Sequence, residues 1–345
     1  MDGRAVVFCE ACFGSDYGKT AHGLVRHTER YDIVAVIDST LAGRDAGEFL
    51  DQRANGIPVV ATLEDALQFA PTHFVIGMAT DGGHLPAAAR QGVLAAIRHG
   101  LNVDNGLHEF LSDDPEFAEA ARRANVTIRD VRKPRPRSEL HFFSGDIQHV
   151  KAKRIAVLGT DCALGKRTTA TLLVMALRDT SISAELIGTG QTSWLQGVRY
   201  GFMLDSTVND FVGGELEHAI VSADRNESPD VIVIEGQAAL THPAGSGGFE
   251  ILGSGKPQGV ILQHAPGRKN HSGYDDFPIA PPEKHIATIE SLFGSKVIGM
   301  GINSEGLPSS SVADVVKDHE QRYGIPCCDP LRDGVSKLVE AVRSL

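Results

Sequence analysis

Short apolar runs rich in β-branched residues alternate along this chain with longer stretches whose apolar positions recur at helical spacing. In the first half the strand-like runs are "RAVVFCE", "YDIVAVIDS", "IPVVA", "HFVIGMA", "LNVDNG" and "VTIRDV", with "TAHGLVRHTER", "TLEDALQFA" and "LPAAARQGVLAAIRHG" as helical segments among them. The second half repeats the rhythm: "KRIAVLG", "SAELIGTG", "PDVIVIEGQ", "PQGVILQHA" and "KVIGMGIN" are strand-like, and "KRTTATLLVMALRD", "VGGELEHAIVSADR", "PEKHIATIESLFG" and the stretch from Asp333 to Leu345 are helical. Strand followed by helix, repeated, predicts an α/β protein whose parallel sheets are doubly wound, with both faces covered.

A break falls in "VRKPRPRS", where Pro134 and Pro136 block regular structure before a new strand begins near Lys153. The expected division is a Rossmann-like domain over residues 1–135, a linker over 136–152 and a second α/β domain over 153–345. A chain of 345 residues exceeds one typical core, which agrees with two domains. The basic run in the linker reads as a solvated connector, or as a surface for an acidic ligand or partner subunit; a homo-oligomer is expected.

A net charge of -11 argues against a nucleic-acid partner. No apolar run approaches the roughly 20 residues that span a bilayer, and the N-terminus lacks the pattern of a secretory signal, so a cytoplasmic protein without membrane partners is expected. Five cysteines without a secretory signal suit a reducing compartment. The Cys9 and Cys12 pair has no second pair at zinc-finger spacing and reads as strand-end thiols.

The first domain lacks a dinucleotide fingerprint: Gly14, Gly18 and Gly23 are spaced too widely, although Asp38, closing "IVAVID", stands where an acidic residue could hold a ribose hydroxyl. NAD binding is therefore the weaker reading. Gly18, Lys19 and Thr20 before a helix could meet an anion, but a solvated lysine at a helix N-terminus carries more weight.

The strongest signal is "VLGTDCALGKRTTA", residues 157–170. Gly159, Thr160, Asp161, Cys162, Gly165, Lys166, Arg167 and Thr168 follow a strand and open a helix, as a phosphate-binding loop requires. Arg167 stands where a nucleotide hydrolase places its magnesium-binding hydroxyl. Lysine and arginine together suit a diphosphate that is bound without metal and not cleaved, such as that of coenzyme A. The second domain is thus P-loop NTPase-like in fold, similar at "GTDxxxGK" to the dethiobiotin synthetase group, while magnesium-dependent phosphoryl transfer is put in doubt.

"GTDCALGKRTT", "GTGQTSWLQG", "DFVGGELEHAI", "IEGQAALTHPAG" and "LQHAPGR", with "YGKTAHGLVRH" and "VAVID", resemble a two-domain family long catalogued as of unknown function, some of whose members are D-glutamate N-acetyltransferases. The resemblance covers nearly the whole chain. It implies acetyl transfer from acetyl-CoA to the amine of a D-amino acid, with D-glutamate the expected acceptor.

That chemistry needs a base for the ammonium, donors for the oxyanion and cations for the acceptor carboxylates. Acidic candidates are Asp205, Asp210, Glu215 and Glu235; Glu235, closing the apolar "VIVIE", stands at the strand-end crevice as a base or as a structural acceptor. His264 is a second base candidate and Arg268 a carboxylate anchor, both in the stretch "LQHAPGRKNHSGYDDF" expected to form a loop over the site. Gln191, Ser193 and Trp194 read as a ligand wall or as packing, and Lys19 as a further substrate contact. No metal is expected, because the histidines lack paired helical or C-x-x-C spacing. Two alternatives stay open: an ATP- and magnesium-dependent ligase or kinase, and a nucleotide-binding protein without catalysis.

Overall fold

The computed structural model describes residues 1–345, which fall into two compact units. The first comprises Met1–Pro134 together with Gln191–Val198; the second comprises Arg135–Gly190 and Arg199–Leu345. No helix is long and apolar enough to cross a membrane.

The sheet of the first unit is formed by β1 (Gly3–Phe8), β2 (Tyr31–Ile37), β3 (Val59–Val60), β4 (His73–Ile76), β5 (Asn102–Asn105) and β6 (Ile128–Asp130). Its strands run parallel in the order β3-β2-β1-β4-β5-β6, the Rossmann arrangement with its switch beside β1. The Asp38 carboxylate after β2 accepts the Phe13 and Thr40 N–H groups at 2.9 Å each, so its oxygens organise the loops after β1 and β2. Burial raises both the Cys9 and the Cys12 thiols above their ordinary value, which disfavours the thiolate form.

The second unit contains β7 (Lys153–Gly159), β8 (Ala184–Gly188), β9 (Tyr200–Gly201), β10 (Val231–Glu235), β11 (Gly259–His264), β12 (Asn270–His271), β13 (Tyr274–Pro278), β14 (Lys296–Ile302) and β15 (Cys327–Cys328). Seven of these strands form a parallel sheet in the order β15-β14-β11-β7-β10-β8-β9. Alternation sends Ala156, Leu158, Ile232, Ile234, Val260 and Leu262 into one apolar cluster. Ile155, Val157, Val233 and Ile261, on the other face, are equally inaccessible, so the sheet is covered on both sides. The helix Lys166–Asp179 buries Thr169, Ala170, Leu173, Val174 and Leu177, the stripe that its period places on one side.

The basic stretch after Pro134 is strapped to the second unit by two glutamates of the helix Asn209–Glu227. Glu215 accepts from Arg135, from the His141 N–H at 2.8 Å and from His141 Nδ1 at 2.9 Å. Glu217 accepts the N–H groups of Ser144 at 2.6 Å and Ile147 at 3.0 Å. Glu215 is therefore an anchor for the strap.

Candidate functional site

The phosphate loop begins where β7 ends, at the centre of the seven-stranded sheet. Ala163 and Gly165 take positive φ, 51° and 89°, which turns the chain tightly enough to start the helix at Lys166. No side chain caps that helix, leaving its first-turn N–H groups oriented as an anion site requires. Lys166 is 6% exposed, and its Nζ donates to the Asp161 carbonyl at 2.6 Å. Arg167 and Thr168 follow, both half-buried in the first turn. The loop leans on β11: the Thr160 N–H donates to the Gln263 carbonyl at 3.0 Å, and Thr169 Oγ1 to the Gln263 side chain at 2.8 Å.

Asp161 is fully buried and collects donors from the segment after β11. Its Oδ1 accepts from His271 Nδ1 at 2.8 Å; its Oδ2 accepts from Arg268 Nη1 and the Ser272 N–H, each at 2.9 Å. Burial alone would raise this carboxyl, but the hydrogen bonds from Arg268, His271 and backbone N–H groups hold it below the ordinary aspartate value. Arg268 also donates to the Cys162 carbonyl at 2.9 Å and to Glu305 at 2.7 Å. The arginine expected to anchor a substrate carboxylate is thus a clamp on the phosphate loop itself. The expected loop over the site is an antiparallel hairpin of β12 and β13, turned at Gly273 with φ of 81°.

Glu235 ends β10, the strand beside β7. It is 6% exposed, and Oε2 accepts the Thr189 N–H at 2.9 Å. A Cβ on the next residue, Gly236, would lie 2.2 Å from the Val157 carbonyl and 3.1 Å from Lys166 Cδ. Only glycine lets the chain leave β10 so close to the β7 backbone, with the stem of Lys166 packed beside it.

His264 closes β11 and, at 2.9 Å, shares a hydrogen bond through Nδ1 with Thr160 Oγ1. Burial, with lesser effects of His319 and His285, pushes its pKa down to about 4. A histidine so depressed is a weak proton acceptor at neutral pH. Asp205 and Asp210 are exposed, Asp210 in the first turn of the helix Asn209–Glu227.

The remaining candidates belong to the first unit. Gln191 accepts from Arg132 Nη2 at 2.8 Å, and Arg30 stacks on Trp194 at 3.9 Å while its Nε donates to the Trp194 carbonyl at 2.8 Å. Ser193 is buried in the same helix, Gln191–Leu195, and Lys19 is exposed at the start of the helix Lys19–Arg26. The structure gathers the phosphate loop, Glu235, His264 and Arg268 within the second unit. His271, from the stretch expected to cover the site, and His242, which the sequence did not single out, also reach it, and Asp161, His242 and His271 bring ligand atoms within 4.8 Å of one another.

The buried histidines set an acid limit. Burial also pushes His285 down to about 4. Since an unfolded histidine titrates near 6.5, the unfolded chain binds more protons between about pH 6.5 and 4, and stability is lost as pH falls through that window. Each histidine contributes on the order of 3 kcal/mol by the end of it, less where the two repel each other. Denaturant midpoints measured from about pH 7 to about pH 4.5 are expected to fall, with a shallower slope in His285→Phe. Identical slopes would refute the assignment.

Two family descriptions match the chain: a DUF1611 Rossmann-like domain of unknown function over residues 39–134 and a DUF1611 P-loop domain of unknown function over residues 141–339. A DUF1611 family protein from Anabaena variabilis ATCC 29413, known from a crystal structure at 2.30 Å, is 29% identical with a TM-score of 0.91, and 99% of each chain is covered. Two proteins named D-glutamate N-acetyltransferase are similar in sequence. That from Tritonibacter scottomollicae is 29% identical over 291 residues, 82% of this chain and 85% of its own. That from a Pseudoalteromonas species is 29% identical over 281 residues, 80% and 82% of the two chains.

Proposed function

The chain belongs to the DUF1611 family, and from that premise we propose that it is an N-acetyltransferase that moves an acetyl group from acetyl-CoA to the amine of a D-amino acid, with D-glutamate as acceptor. The observation that carries the reading is a phosphate loop whose lysine is followed by Arg167 instead of a metal-binding hydroxyl. The helix N-terminus, Lys166 and Arg167 hold the diphosphate of coenzyme A, and two cations supply the charge that magnesium would bring.

Glu235 takes the proton from the acceptor ammonium. This role makes a geometric demand, because Glu235 lies on the strand next to the loop, about 5 Å across the sheet, whereas the thioester is a whole pantetheine arm from the diphosphate. The arm must fold back over the carboxyl ends of β7 and β10. A crystal structure with coenzyme A bound to the loop and its arm extended away from Glu235 would remove that residue from the chemistry.

The reading is tested by thermal shift and turnover together. Acetyl-CoA and coenzyme A are expected to raise the melting temperature, and ATP with magnesium is not, because only ligands that bind the native state stabilise it. With acetyl-CoA present, D-glutamate is expected to release free thiol much faster than L-glutamate. Stabilisation by ATP with magnesium alone would install a ligase or kinase in its place, and equal turnover of the two enantiomers would remove the D-amino acid assignment.

A further inference from the structure

Beside the phosphate loop, three segments far apart in sequence converge on one buried point. Asp161 comes from the loop, His242 from the segment after β10 and His271 from β12. The side chains of Asp161, His242 and His271 are 0%, 5% and 2% exposed. Around Asp161 Oδ1 stand His271 Nδ1 at 2.8 Å and His242 Nε2 at 3.7 Å. The other carboxylate oxygen is held by Arg268 and the Ser272 N–H, as outer partners hold a ligating carboxylate in place.

His242 Nε2 is buried and makes no hydrogen bond of normal geometry, although the Ser272 backbone lies near enough to act on the ring. Leaving such an atom poorly satisfied is unfavourable, and here it faces a carboxylate oxygen 3.7 Å away, too far to hydrogen-bond. Tetrahedral ligands about 2.0–2.2 Å from a zinc-like ion stand roughly 3.3 Å from one another. The 2.8 and 3.7 Å separations bracket that spacing.

We propose that Asp161, His242 and His271 form a binding site for a first-row transition cation of the zinc class. Two imidazoles and one carboxylate select such an ion over magnesium or calcium, which take oxygen ligands. Three protein ligands leave at least one position for water or for an oxygen of the ligand held by the loop. The site does not depend on the acetyl-transfer reading.

Binding rearranges two protons without losing either. In His271 the proton now donated from Nδ1 to Asp161 moves to Nε2, freeing Nδ1 for the ion. In His242 the Ala244 N–H lies 3.2 Å from Nδ1, which places the ring proton on Nε2. The ion takes Nε2, the proton moves to Nδ1, and that Ala244 contact is given up. The loss of that one weak contact is small against the bonds that a metal ion makes with its ligands.

Untagged full-length protein stripped by chelation and dialysed is titrated separately with zinc and cobalt. One equivalent per chain is expected by calorimetry and elemental analysis, with cobalt giving the intense visible bands of a low-coordinate nitrogen and oxygen site. His242→Ala and His271→Ala are each expected to weaken binding about 100-fold or more, while His99→Ala, a substitution outside the cluster, leaves it unchanged. If a variant does not fold, the stoichiometry and cobalt spectrum of the wild type still decide. No bound equivalent of either ion, or affinity unchanged in folded His242→Ala and His271→Ala, overturns the proposal.

Discussion

Glu235→Gln is expected to lower kcat for D-glutamate acetylation by about two to four orders of magnitude while acetyl-CoA affinity stays nearly unchanged. The substitution keeps the shape of the side chain, and the amide oxygen can still accept the Thr189 N–H that Glu235 now holds at 2.9 Å. What it removes is the proton-accepting charge at the end of β10. His264→Asn is the informative contrast. With its pKa pushed down to about 4 and Nδ1 engaged with Thr160, His264 is a poor base, so its loss should act on the loop and on KM more than on kcat. A large fall in kcat for His264→Asn with near-normal turnover of Glu235→Gln would reverse the two roles.

The parallel architecture was legible because local composition and periodicity agree with it. The apolar "VIVIE" becomes β10, buried along its whole length, and the spacing of "KRTTATLLVMALRD" becomes the buried stripe of the helix over the sheet. The phosphate loop was legible for a related reason, since Gly159, Gly165 and Lys166 lie within one short stretch of sequence. What the sequence hid is tertiary. Glu215 reads as a catalytic acid until the fold sets it against Arg135 and His141, and Arg268 reads as a substrate anchor until it is seen holding Asp161 and Cys162. Trp194 follows β8, yet its helix belongs to the first unit, where Arg30 covers the ring. The cluster of Asp161, His242 and His271 was hidden for the same reason. Asp161, His242 and His271 have no shared spacing, and the parallel sheet brings them together by placing all three after the carboxyl ends of adjacent strands.

The double variant Lys166→Ala, Arg167→Ala is expected to weaken acetyl-CoA binding by about three orders of magnitude, since each charge-assisted hydrogen bond to phosphate contributes about 1.5–3 kcal/mol. Arg167→Ala alone accounts for about one to two of those orders. The lysine has a second role, because Nζ ties the loop back to the Asp161 carbonyl and its stem fills the space left by Gly159 and Gly236. Lys166→Ala therefore lowers the melting temperature without ligand as well. The melting temperature of each variant without ligand separates lost phosphate contacts from a collapsed loop. Arg167→Thr restores a hydroxyl at the first turn, but two cations still matter more than one, so it should lose acetyl-CoA affinity and gain no stabilisation from ATP with magnesium. Magnesium should not change acetyl-CoA affinity in any of these proteins. Undiminished acetyl-CoA affinity in the folded double variant, or affinity in the wild type that requires magnesium, would show that the loop does not hold a diphosphate by the two cations.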